Sequence, residues 1–289
     1  MLKLTAAAII ALAATGPALA LDGAASLVEP GAVSSELSEY NLVADDAGTL
    51  RVFARSRANF EGARIYVSAR RGTAWEAPKP IAFTDERYRD SDPWLTPDGK
   101  TLYFISDRPP PGQPDKRDLD IWRATRQGES WGAPEHLGDA VNSPGEELGP
   151  ELQGGVLYFN SSRAGGPGQL DFYAAKMTGG GFEPARVLPA PLNSPQAEGD
   201  FTLTRDGTTA LFWSTRGGKG EIYAARRQGD GWAEPVKLPA SVNMASFQIT
   251  PHLSPDGKTL TFASVKVRDG QPKGMMDLYS IATDGLGIR

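Results

Sequence analysis

The chain has 289 residues, 40% of them hydrophobic, with 30 Lys+Arg against 35 Asp+Glu and no cysteine. A net charge of −5 offers no overall field for nucleic acid or an anionic membrane, and the missing cysteines exclude disulfides, thiolate nucleophiles and zinc–thiolate sites. With 33 Gly and 23 Pro the composition is that of a turn-dense globular chain large enough for a packed core, one or two domains long.

Residues 1–20 read as an export signal. Lys3 is a short basic head, Ala6 to Ala14 an apolar run, and Ala18-Leu19-Ala20 an A-x-A cleavage pattern. The run is shorter than the roughly 20 residues that span a bilayer. Cleavage after Ala20 leaves a mature chain of 21–289, periplasmic or secreted, with no membrane insertion.

From there the sequence repeats. Phe-x-Ser/Arg-x-Arg/Lys occurs at Phe53, Phe104, Phe159, Phe212 and Phe262, spaced by 51, 55, 53 and 50 residues. A Gly turn precedes each: Ala47-Gly48, Asp98-Gly99, Gly154-Gly155, Asp206-Gly207 and Asp256-Gly257. Gly adopts the positive φ of a tight hairpin without penalty, and Asp hydrogen-bonds the turn backbone. A second short strand follows each Phe motif, at Ile65, Ile121, Phe172, Ile222 and Leu278, and an aromatic-to-Pro segment follows the first four (Trp75–Pro78, Trp131–Pro134, Phe182–Pro184, Trp232–Pro235). Four short strands, a to d, every 50-odd residues is the period of a β-propeller blade. The chain is therefore expected to be all-β, a single domain of five four-stranded antiparallel blades over 21–289. Residues 32–47, free of Gly and Pro, are where a helix would most readily contradict this.

The fifth unit lacks a strand d, whereas Ser26 to Ser35 is an unassigned strand-like piece near the N-terminus. The N-terminal piece is predicted to complete the last blade, closing the ring and removing an exposed edge.

Pro93 to Arg108 (PWLTPDGKTLYFISDR) resembles the TolB-type, WD-like propeller repeat, and Thr250 to Phe262 is similar to it. The lead-in Asn142, Ser143, Glu147 and Pro150 looks like the version found beside OmpA-type envelope domains. The resemblance spans 21–289 and is weakest in the first blade, where Ala47-Gly48 replaces Asp-Gly and Arg55 replaces Ser. It implies a periplasmic interaction module; related repeats also occur in hydrolases.

Each blade carries an acid or amide ahead of strand a (Glu39, Asp90, Glu147, Glu198, Gln248) and a base after strand b (Arg57, Arg108, Arg163, Arg216, Lys266). Strand c opens on Asp120, Asp171, Glu221 and Asp277, with Arg64 in blade 1. Antiparallel connection brings these to one rim. Fivefold repetition favours an acid–Arg–acid brace between blades over chemistry, which needs one asymmetric site. The alternative is a glycan-acting hydrolase using Asp90, Glu147 and Glu198, since glycosidases work with paired carboxylates. That reading weakens if each of the three contacts its own blade's Arg.

Residues unique to one blade are the binding candidates: Trp94 and His252 on inner strands, Arg87, Tyr88 and Arg89 before blade 2, and Lys116 and Arg117 in the long Pro109–Arg117 insertion. With two histidines, no cysteine and no P-loop, no cofactor is expected; an oxygen-only Ca²⁺ or Mg²⁺ site is the kind of metal site compatible with the composition. The expectation is a monomeric envelope scaffold, not an enzyme, that binds a protein or peptide, or a glycan.

Overall fold

A computed structural model describes residues 23–266 and 275–288; the expected export signal, the segment 267–274 with the loop after Gly270, and Arg289 lie outside the described residues. Among the described residues there is no α-helix, only a 3₁₀ turn at Ala58–Phe60. Residues 38–44 form a strand.

Five antiparallel sheets follow in chain order. Strand a is Ser38–Ala44, Asp90–Leu95, Glu147–Gln153, Glu198–Leu203 and Gln248–Leu253 in blades 1 to 5. Strand a of each blade packs on strand a of the next, and that of blade 5 packs on blade 1, so the ring is closed around an axis. Strand b (Leu50–Ser56 in blade 1, Thr101–Ser106 in blade 2) is the most apolar, because it is covered by a neighbouring blade on each face; its Phe53, Phe104, Phe159, Phe212 and Phe262 are all fully buried. Strand c starts at Arg64, Asp120, Asp171, Glu221 and Asp277, as the sequence spacing predicts. Strand d is two two-residue pieces on strand c, such as Ala74–Trp75 and Lys79–Pro80, interrupted around a proline that cannot donate to the ladder.

The closing strand is Ser26–Leu27, antiparallel to Asp277–Ala282 with Leu27 opposite Tyr279. It is shorter than the segment 26–35 expected, but the Val28 amide also reaches Leu278 O at 2.9 Å. Leu27 packs into the blade 4–blade 5 core with Leu260, Phe262 and Tyr279. In blades 2 to 4 an Asn (Asn142, Asn193, Asn243) grips the strand-c backbone through both amide atoms. Ser34 stands in for it in the closing segment, donating to Leu278 O at 3.5 Å.

Every strand a carries a β-bulge between its first and second halves. The bulged residue takes positive φ: Asn41, Asp92, Gly149, Asp200 and Thr250. Asn, Asp and Gly adopt that region most cheaply. The bulge turns the strand and re-aims the following side chains.

Candidate functional site: the channel mouth

The predicted charged ring forms, with its carboxylates sealed. Arg108 Nη2 lies 2.5 Å from Asp90, Arg163 Nη2 2.9 Å from Glu147, and Arg216 Nη2 3.3 Å from Glu198. Glu147 also accepts from the Ser143 amide and hydroxyl at 2.8 and 2.6 Å and from Ser161 Oγ at 2.7 Å. Glu198 repeats the pattern with Ser194 and Ser214. All three carboxyl groups are buried. Burial pushes Asp90 above the ordinary carboxylate range while Arg108 pulls it down.

Two details depart from expectation. In blade 1 the base on Glu39 is Arg55, at 2.7 Å, while Arg57 pairs with Glu61 on the surface. Arg55 occupies the Ser position of the motif, so its longer arm reaches the acid directly. Nor is there a second acid on each arginine: the guanidinium takes a backbone carbonyl of the preceding linker instead, Val141 O for Arg163 and Leu192 O at 2.6 Å for Arg216. The strand-c acids pair elsewhere, Asp120 with Lys116 and His136, and Glu221 with Lys237.

The bulges build a second ring, inside the first and two residues along. Asp92 Oδ2 accepts the Gly149 amide at 3.2 Å, Asp200 Oδ2 accepts the Thr250 amide at 3.0 Å, and Thr250 Oγ1 accepts the Asn41 amide at 3.2 Å. Gly149 has no side chain to continue the ring, and Asn160 Oδ1 serves the Asp200 amide in its place at 3.2 Å. A Cβ on Gly149 would sit 2.8 Å from Asp200 Oδ1 and 2.7 Å from Asn160 Oδ1.

Above this ring opens a cavity of about 300 Å³. Its walls are Phe60, Ile105, Leu119, Leu148, Trp213 and Phe247; Asp92, Asp200, Asn160 and Thr250 form its floor, and Arg89 and Glu146 also line it. Gly220 allows Phe247 its place, since a Cβ there would lie 1.9 Å from the ring. Arg89 is itself held by Asp107, at 3.1 Å. Among the described residues neither Asp92 nor Asp200 makes an ion pair. Burial raises both, and the charge of Asp92 raises Asp200 further, to about 7. The two titrate as a pair.

Below the ring the channel narrows to a neck of about 20 Å³, room for about one water. Trp94 is buried there, tilted on Tyr103, and its indole hydrogen-bonds Glu151. Glu151 also accepts the Leu203 amide at 3.0 Å, tying blade 3 to blade 4. His252 Nδ1 lies 4.0 Å from Glu151; burial lowers His252 to about 4 and raises Glu151 to about 7. The opposite mouth is a wider cavity of about 680 Å³ among the a–b turns, where Arg205 of blade 4 pairs with Asp46 of blade 1.

Of the other sequence candidates only Arg89 lines the smaller cavity; Arg87, Tyr88, Lys116 and Arg117 flank the strands of blade 2. Arg87 is exposed and chelated by Asp85, and Tyr88 lies between Arg87 and Arg108. Lys116 is turned inward to Asp118 and Asp120, whereas Arg117 is exposed and donates to Pro114 O and Lys116 O. Sequence reasoning missed Asp92, Asp200, Phe60, Trp213 and Phe247. The available signal was an Asn, Asp or Gly two residues after the rim acid in blades 1 to 4 (Thr250 after Gln248 in blade 5), followed by Pro in blades 2, 3 and 5; inside a strand that pattern marks a bulge.

The fold is that of TolB propellers. A putative TolB from Agrobacterium tumefaciens matches with a TM-score of 0.55 at 16% identity, over 86% of this chain and 91% of that one. TolB from Acinetobacter baumannii matches with 0.51 at 14% identity, over 88% of this chain and 56% of that one, so this chain spans little more than half of it. A thermostable family-43 glycoside hydrolase is equally similar in shape, with a TM-score of 0.55, 12% identity, and 89% and 91% coverage. No protein-family model matches the sequence, and no curated protein matches it.

Proposed function

We propose that this chain is an exported binding module of the cell envelope that, as a monomer, receives a protein or peptide partner on the rim around the smaller cavity. The observation that carries this reading is the asymmetry of that mouth. The blades are near-equivalent, yet the aromatic residues that wall this cavity among the described residues sit in blades 1, 4 and 5: Phe60, Trp213 and Phe247. A concave apolar surface with a few convergent polar groups is the usual form of a binding site. Tyr88 and Arg87 lie just before strand a of blade 2 and the Pro109–Arg117 loop just after its strand b, which supports a polar border at this end of the ring. The neck below is too narrow for passage, which favours capture at the mouth over transit.

A photo-crosslinking residue at Tyr88 or Arg117, compared with one at Asp256 on the opposite rim, tests the reading in intact envelopes. The expected result is a discrete adduct from the first two positions, competed away by the purified chain. Equal labelling from both rims, or none, overturns it.

The hydrolase reading is supported by Asp92 and Asp200 rather than by Asp90, Glu147 and Glu198. The former pair faces an open cavity, with pKa values raised by burial and no arginine ion pair, the environment that acid–base catalysis on glycosides requires. Turnover of any aryl glycoside that is lost in both Asp92→Asn and Asp200→Asn would favour it over the binding module.

A further inference from the structure

We infer that the mouth cavity holds an organic cation: the ammonium or guanidinium end of a lysine- or arginine-like side chain, seated between Asp92 and Asp200 with its aliphatic stem along Phe60, Trp213 and Phe247. This rests on the binding-module reading and names the chemistry of its partner.

The argument begins with what the bulge ring needs. Four of the five bulge amides take one oxygen acceptor from a neighbouring blade, and neutral oxygens suffice: Thr250 Oγ1 serves Asn41 and Asn160 Oδ1 serves Asp200. Asp92 and Asp200 do the same job for Gly149 and Thr250 with carboxylates. An Asn or Thr there would avoid the desolvation of an ionised group, which is costly when unpaired. Charge in excess of the structural need, in an apolar cavity, is matched by a cation brought from outside.

Position supports the same conclusion. Gly149 lies between the two acids, donating its amide to Asp92 and packing so closely on Asp200 that a methyl group would meet Oδ1 at 2.8 Å; both acids line the cavity. Arg89, the one cationic side chain lining the cavity, is committed to Asp107. Glu146, exposed at the lip, adds a third negative group on the approach. The walls then exclude water from the stem of the ligand and strengthen the ion pair at its tip. An anion would meet two carboxylates at the floor, and a neutral apolar ligand would leave them without a cation, held only by the neutral donors Ser91 and Gly149 on Asp92 and Thr250 and Trp213 on Asp200.

A cation favours the doubly ionised floor, so its binding releases a proton wherever one is shared by the pair. The other titratable groups facing the floor are Arg89 and Glu146 at the mouth, the Tyr40 phenol beneath Ser91, and Glu151 and His252 in the neck. Tyr40 is raised by burial and stays neutral, and His252 is lowered by burial and is neutral near pH 7.

The test is titration of the full mature chain with n-butylguanidinium, n-butylammonium, n-butanol and butyrate, followed by calorimetry and by NMR of the Trp213 indole. The two cations are expected to bind and the other two not, with affinity rising about tenfold from pH 6 to pH 8. Asp92→Asn and Asp200→Asn preserve the acceptor oxygen, melt at or above the parent temperature, and weaken cation binding at least about tenfold each. Binding of n-butanol as tight as that of the cations, binding of butyrate, or cation binding unchanged in both folded variants overturns the inference. A rim crosslink without cation binding sinks this inference alone; cation binding without a crosslinked protein sinks the partner reading alone.

Discussion

Asp92 and Asp200 meet at Gly149, the first accepting its amide proton at 3.2 Å and the second standing where its side chain would begin. The contact joins three consecutive blades at the axis. It also concentrates negative charge at a place where the fold requires only hydrogen-bond acceptors, so ionisation of the pair works against folding.

The sign follows from Asp200. Its carboxyl is raised from the ordinary 3.8 to about 7 by burial and by Asp92, so between those values the folded chain holds a proton that the unfolded chain has released. Stability from this group is therefore present at low pH and lost as pH rises toward and through about 7. Asp200→Asn removes the loss. Urea unfolding of parent and variant should agree near pH 4 and separate by about 1–3 kcal/mol in favour of the variant at pH 8. A variant less stable at pH 8 than at pH 4, relative to the parent, would contradict this ionisation.

Ring closure makes a separate prediction. Removing residues 21–33 deletes Leu27 opposite Tyr279, the Val28 bond to Leu278 O and the fully buried Val33. Two to three apolar side chains of this kind contribute about 3–5 kcal/mol, and the strand Asp277–Ala282 is left as an open edge. The truncated chain should melt well below the parent and associate with rising concentration in light scattering. An unchanged melting temperature would mean the ring does not depend on its N-terminal strand.

The repeated acid–arginine contacts should behave as structure. Glu147 is fully buried and held by two serines as well as Arg163. Arg163→Met leaves that carboxylate without its cation, at a cost of about 3–5 kcal/mol. Glu147→Gln keeps one acceptor oxygen for the two serine hydroxyls, loses the one that takes the Ser143 amide, and lets the partly exposed Arg163 hydrate, so about 1–2 kcal/mol is expected. Arg57→Ala, which removes only the surface pair with Glu61, should leave the denaturation midpoint where it was. Guanidinium binding at the mouth should be the same in all three variants that remain folded.

The blade count, the strand-c starts and the closing strand were legible because they follow from periodicity: a 50-odd-residue repeat with a turn, a buried Phe and a second strand at constant offsets. The axis was not. An alternating strand puts Asp90 and Asp92 on one face, and only the bulge between Ser91 and Trp94 separates them, turning Asp90 to Arg108 and Asp92 to the cavity. Arg55 replaced Arg57 on Glu39 for a related reason, because at the rim side-chain reach matters as much as register. Trp213 is the variable second residue of the Phe-x-Ser motif, where the other blades carry Ala54, Ile105, Asn160 and Ala263; its bulk, like Phe60 and Phe247, is not repeated, and the convergence of the three depends on tertiary closure that spacing along the chain does not encode.

Gly149→Ala tests the geometry of the floor most directly. Gly149 has φ +55, a region that costs a non-glycine residue about 1–2 kcal/mol. The new methyl would also meet Asn160 Oδ1 at 2.7 Å and Asp200 Oδ1 at 2.8 Å, and both oxygens accept backbone or neighbouring donors that hold them in place. Relief requires the Asp200 carboxylate to swing into the cavity or the Asn160 bond to break. A total loss of about 2–4 kcal/mol in denaturant unfolding is expected, together with weaker n-butylguanidinium binding in the fraction that stays folded. Asn160→Ala, which removes one of the two obstructing oxygens, should recover part of the stability when combined with Gly149→Ala, so that the double variant loses less than the two single losses added together. Strict additivity would mean that the methyl group and the Asn160 amide never compete for the same space.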